Sequence, residues 1–173
     1  MPEKSMEENI EVRLFTPDEW LAYKGVRLKA LKSDPKVFGS SYALEADRAA
    51  AVWQENLVKP TLGIFGVFHY ADVIGMTGIF IDGEDSSTAK LWGSWLEPKW
   101  RGKGLSEKLY QVRLEWAKKH PDVKRIVVSH RESNIASKMA NRKHGFVFTH
   151  AADKVWRDGV SEPELFYQLL VKT

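Results

Sequence analysis

The 173-residue sequence contains no cysteine, which excludes disulfides, thiolate metal sites and acyl-cysteine intermediates. It has no apolar run approaching the roughly 18 residues that span a bilayer. Its first ten residues, MPEKSMEENI, show neither the apolar stretch of a secretory leader nor an Arg-rich amphipathic pattern. These absences point to a cytoplasmic protein with no membrane partner. His69, His120, His144 and His150 fall at no metal-ligand spacing, so no metal is expected. Neither sign of charge dominates: 26 basic residues face 23 acidic ones, a formal net charge of +3. That excess is too small to announce a nucleic-acid partner, and no aromatic-basic recognition motif adds to it.

What is present is a core. With 43% apolar residues, the chain has the composition and length of one globular domain. Residues 1–9 are polar and acidic and read as a flexible N-terminus, and residues 10–173 read as a single domain. The charge is unevenly placed: Lys99 to Arg125 holds nine basic and three acidic residues. Such a segment is either the solvated face of a helix or the bed of a polyanionic ligand.

Local patterns give an alternation of elements. IEVRLF from Ile10 alternates as a strand, and Thr16-Pro17-Asp18-Glu19 is a helix start with a capping box, leading to about Ser33. Asp34-Pro35 stops that helix. A second helical stretch, from about Ser41 to Leu57, is expected to send Leu44, Val52, Trp53 and Leu57 to the core. TLGIFGVFHY and DVIGMTGIFID read as a hairpin, and AKLWGSWLEP as a further strand closed by Pro98. After it, Leu105, Leu109, Val112 and Trp116 form one buried helical stripe with the cations largely off it. KRIVVSH reads as a strand, and SNIASKMANRKHGF as a helix ended by Gly145. FVFTHA and ELFYQLLV read as strands around a turn at Asp158-Gly159. The order is β-α-α-β-β-β-α-β-α-β-β, an α/β fold with a mixed sheet.

The junction WRGKGLS holds the most chemistry. Gly102 and Gly104 open a helix, where free backbone N–H groups and the helix dipole attract an anion, phosphate above all. A plain strand-to-helix turn is the other reading of the same glycines.

With this element order, RGKGLS resembles the acyl-CoA signature Gln/Arg-x-x-Gly-x-Gly/Ala of the GCN5-related N-acetyltransferase (GNAT) superfamily. Arg101 and Gly104 stand at its fixed positions, and Ser106 stands where Gly or Ala is usual. Asn134 and KHGF follow at the family's spacing, and the resemblance runs from Ile10 to Val171. It implies a mostly antiparallel central sheet with one splayed pair of strands and helices on both faces. Acetyl-CoA would be the co-substrate, its pyrophosphate lying on the N–H groups of Arg101, Gly102, Lys103, Gly104, Leu105 and Ser106, with Arg101, Lys103 and Lys143 meeting further phosphate charge. The pantetheine would lie between Leu91–Leu96 and Arg125–Ser129, touching Asn134 and Ser137. Asn134 equally suits a helix N-cap. The Leu96 amide would hold the thioester carbonyl.

Direct transfer needs a neutral amine and a proton for the departing thiolate. The family often supplies these with a Glu and a Tyr. Here Lys90 stands at the Glu position and Asn141 at the Tyr position. An amide donates a hydrogen bond but no proton. Glu45, His130, Glu132 and Asp82 are the candidate bases. Tyr42, Trp53, Phe65, Trp92 and Trp95 serve either an acceptor pocket or the core. The expected function is acetyl transfer from acetyl-CoA to a primary amine of a small molecule or peptide. A non-catalytic CoA-binding module is the alternative, and a homodimer is left open.

Overall fold

The computed structural model describes residues 9–171. Of the N-terminal segment expected to be flexible, residues 1–8 lie outside the described residues. Seven strands form one sheet: β1 (Ile10–Leu14), β2 (Leu62–His69), β3 (Asp72–Ile81), β4 (Thr88–Leu96), β5 (Arg125–Arg131), β6 (Val147–Ala152) and β7 (Glu164–Leu170). Their spatial order is β1-β2-β3-β4-β5-β7-β6, and every neighbouring pair is antiparallel except β4 with β5. The mixed, mostly antiparallel sheet is therefore as expected.

Helix α1 (Trp20–Ser33) covers one face, and α4 (Ser106–Lys118) the other. Strand β2 shows why both faces are dry. Ile64 and Phe68 join the cluster under α1 with Tyr23, Val26 and Leu31, whereas Phe65 and Val67 join the clusters under α4 with Leu109 and Tyr110. The start of α1 is a 3₁₀ turn at Pro17–Glu19, where the Glu19 carboxylate accepts from the Thr16 N–H at 2.8 Å.

The second helical stretch departs from expectation. It is two short helices, α2 (Tyr42–Ala46) and α3 (Ala50–Asn56), and it leaves Leu44 and Val52 exposed. On an uninterrupted helix, residues 45 and 53 would point roughly 80° apart. The break lets both face α1: Glu45 grips Arg27, and Trp53 packs edge-on against Tyr23 at 5.1 Å. The break therefore accompanies a buried ion pair, which apolar periodicity does not encode.

Of the expected stripe, Leu105 at the N-cap of α4 and Leu109 within it are buried, while Val112 and Trp116 are only half-buried. The stripe is not free of cations, because Arg113 is 3% exposed. The last helix is α5 (Ile135–Lys143). Among the described residues, no helix is long and apolar enough to cross a membrane.

Candidate active site

Strands β4 and β5 pair only from Thr88–Lys90 to Arg125–Val127. Beyond Lys90 they diverge, β5 keeping its full pairing with β7 while β4 runs on to Leu96. A bulge on β4 accompanies the divergence. Between the pairs Gly78–Trp92 and Met76–Trp95, β3 has one residue, Thr77, and β4 has two, Gly93 and Ser94. Gly93 takes φ +67°, a conformation that side chains resist.

The gap becomes a cleft of about 610 Å³, walled by β4, the Trp100–Ser106 turn, α4, β5 and α5. At its mouth Gly102 and Gly104 have φ +73° and +78°, and a Cβ built on either meets no described residue within 4 Å. The backbone is thus bare toward the cleft. Leu105 occupies the N-cap of α4 and offers no side-chain acceptor, so the first helical N–H groups are available to an anion. On β4, the Glu97 N–H donates to Ile74 O across the β3 edge. By the alternation of an antiparallel ladder, the Leu96 N–H points the other way, into the gap.

The remaining sequence candidates divide. Ser106, Asn134, Ser137, Asn141 and Lys143 all line the cleft. Asn134 caps α5, its Oδ1 accepting from the Ser137 N–H at 3.1 Å. Arg101 also lines the cleft, but its guanidinium is not a free phosphate ligand: Nε donates to Leu96 O at 2.9 Å and Nη2 to Asp34 at 2.9 Å. It braces the turn against β4. Burial pushes the Asp34 carboxyl up, but bonds from Trp95 and Arg101 outweigh burial and hold it below its ordinary value. Lys103 is exposed and is not among the cleft-lining residues.

Glu45 is a correction. It is 2% exposed, outside the cleft lining, and chelated by Arg27 at 3.0 and 2.9 Å, with Arg48 at 3.5 Å. Burial raises its pKa, yet the Arg27 bonds outweigh that and lower it, so this carboxylate is a poor base. Two of the other candidates, His130 and Asp82, are also engaged. His130 lines the cleft, but its ring nitrogens meet Arg131 O and the Tyr167 hydroxyl. Asp82 pairs with Lys90 at 3.2 Å, and Glu132 is exposed outside the cleft. Of the five aromatic candidates, Trp92 lines the cleft, Trp53, Phe65 and Trp95 are buried in core clusters, and Tyr42 is 44% exposed.

Two polar cleft residues on α4 were not among the sequence candidates: Tyr110 and Arg113, one turn apart. The Tyr110 hydroxyl donates to Asn141 Oδ1 at 2.5 Å, and burial raises its pKa. Arg113 donates from Nε to Leu109 O at 2.9 Å and from Nη1 to Ser94 Oγ at 3.1 Å, and its guanidinium lies 4.8 Å from the Tyr110 ring centre. Among the described residues no carboxylate pairs with it, and burial lowers its pKa to about 10, which still leaves it cationic at neutrality. The available signal was two polar side chains on the buried side of a helix. Among the described residues, no group of three or more His, Asp or Glu side chains is placed to hold a metal ion.

Residues 28–146 match the family described as "Acetyltransferase (GNAT) family". A search of curated proteins finds no match. Among solved structures, an acetyltransferase of the GNAT family from Streptococcus pneumoniae is similar at TM-score 0.81 and 14% identity, over 94% of this chain and 99% of that one. A putative acetyltransferase from Salmonella typhimurium, solved with its cofactor acetyl-CoA, has TM-score 0.78 and 17% identity over 95% of each chain. Spermidine N-acetyltransferase from Vibrio cholerae, in complex with CoA and spermine, has TM-score 0.75 and 12% identity over 95% of this chain and 96% of that one.

Proposed function

The chain belongs to the GNAT acetyltransferase family, and from that premise we propose that it transfers the acetyl group of acetyl-CoA directly to a primary amine of a small molecule or peptide. The observation that carries this reading is the gap between β4 and β5, open along the β4 edge and ending at the bare Gly102–Gly104 turn. An extended pantetheine arm fits such an edge as an added strand, and the pyrophosphate fits the N-terminus of α4. Acetyl-CoA supplies an activated acyl thioester. The chain's own part is to hold the phosphates on the turn, orient the thioester carbonyl with the Leu96 N–H, and exclude water. Residues 10–173 act on this reading as one domain, in the cytoplasm, without metal, nucleic acid or membrane, alone or as a homodimer. That the Vibrio cholerae protein was solved with spermine supports an amine acceptor.

Acetyl-CoA at a hundredfold excess over Kd should stabilise the fold by about 2.7 kcal/mol. For a domain of this size that raises Tm by roughly 5–10 °C. No rise at millimolar acetyl-CoA would refute CoA binding. The second test monitors free thiol over a panel of primary amines. Stabilisation without thiol release above the acceptor-free background would assign the chain as a non-catalytic CoA-binding module, the reading favoured by Lys90 and Asn141 at the family's Glu and Tyr positions.

A further inference from the structure

We propose that Tyr110, on α4, donates the proton to the departing CoA sulfur, with Asn141 on α5 as its positioning residue. The assignment rests on the acetyl-CoA reading above and supplies the acid that position 141 lacks.

Three observations carry it. First, the phenol and the amide reach across the cleft from two different helices and meet at 2.5 Å, with both residues lining the cleft and both nearly buried. Second, Asn141 spends its oxygen on the phenol, and its buried Nδ2 has no hydrogen-bond partner among the described residues. A buried donor without an acceptor carries its full desolvation penalty, which an entering sulfur would relieve. Third, the pair is tied to the reacting end of the gap. Arg113, one turn along from Tyr110, bonds Ser94 on β4, and Ser94 stands two residues, about 6.8 Å, from Leu96.

The amine nitrogen bonds to the acyl carbon, the carbon–sulfur bond breaks with its electron pair going to sulfur, and the nitrogen releases one proton to water. The Tyr110 O–H turns about its C–O bond from the Asn141 oxygen to the sulfur, giving CoA thiol and phenolate. The Asn141 amide turns over to donate Nδ2–H to the phenolate oxygen, beside the Arg113 cation, until water returns the proton.

The test compares wild type, Tyr110→Phe, Asn141→Ala and the double variant Tyr110→Phe/Asn141→Tyr. Binding of CoA and of desulfo-CoA, which lacks the sulfur, is measured by calorimetry and needs no known acceptor. Tyr110→Phe should weaken CoA by about two- to tenfold, because the phenol oxygen, with its O–H on Asn141, accepts one neutral hydrogen bond from the CoA S–H, and leave desulfo-CoA unchanged. With an amine that releases thiol, its kcat should fall by about a hundredfold, the low end for a positioned acid because a thiol leaves readily, with the KM for acetyl-CoA little changed. Asn141→Ala should lower kcat by about two- to tenfold. The double variant should recover about tenfold over Tyr110→Phe, since a phenol is again present beside the sulfur. Equal weakening of CoA and desulfo-CoA by Tyr110→Phe, or no weakening of either, overturns the assignment while leaving CoA binding intact. Wild-type protein that binds neither compound overturns the acetyl-CoA reading and this assignment with it.

Discussion

Gly104→Val should abolish the thermal shift produced by acetyl-CoA while the protein still folds. A valine at φ +78° has no comfortable backbone conformation, and the strain should cost the apo protein about 1–3 kcal/mol. Contact with the rest of the described chain adds nothing to that, because none of it lies within 4 Å of the new Cβ beyond the flanking residues. On the proposed acetyl-CoA reading the pyrophosphate passes through this space, so the branched side chain should hold the phosphates off the turn. Loss of two charge-assisted hydrogen bonds, each worth about 1.5–3 kcal/mol, corresponds to a fall in affinity of roughly a hundredfold to ten-thousandfold. Gly159→Val is the matched control: Gly159 has φ +81°, is equally open, and lies outside the cleft. It should show similar destabilisation with the ligand shift preserved. Unchanged CoA affinity in Gly104→Val would refute the placement of the pyrophosphate.

Glu45→Ala should lower stability by about 3–5 kcal/mol, because it leaves Arg27 as an unpaired charge in a site where Arg27 is 6% exposed. For a domain of this size that is a fall in Tm of roughly 6–20 °C. Among the described residues Arg27 Nη1 already lacks a hydrogen-bond partner, and the variant takes the Glu45 oxygens from Nε and Nη2 as well. Adding Arg27→Met should recover most of the loss, since a buried ion pair exchanged for apolar packing is often neutral. Thermal melts of the two single variants and the double variant decide the matter. The pair also sets a pH dependence. The folded-state pKa of Glu45 is lowered, so its contribution is present above the ordinary carboxylate value and fades as pH falls through the lowered one. A Glu45→Ala variant with wild-type Tm and no activity would instead make Glu45 a base.

The legible parts of the sequence share one property, that neighbours along the chain decide them. The start and end of α1, the β2–β3 hairpin, the glycine turn and the Asn134 cap are set by residues a few positions apart, and each stands where the pattern put it. The CoA contacts expected at Gly102, Gly104, Ser106, Asn134, Ser137 and Lys143 are confined to two such segments, and the structure brings them to one cleft. What the chain alone left undecided involves pairs distant in sequence. Arg27 meets Glu45 across 18 residues, and Arg101 is claimed by Asp34 from 67 residues away. Tyr110 meets Asn141 across 31 residues, and Arg113 meets Ser94 across 19. Periodicity reports which face of an element is apolar. It says nothing of which polar group waits on the facing element, and burial of a charged or phenolic side chain is affordable only when tertiary structure supplies that partner.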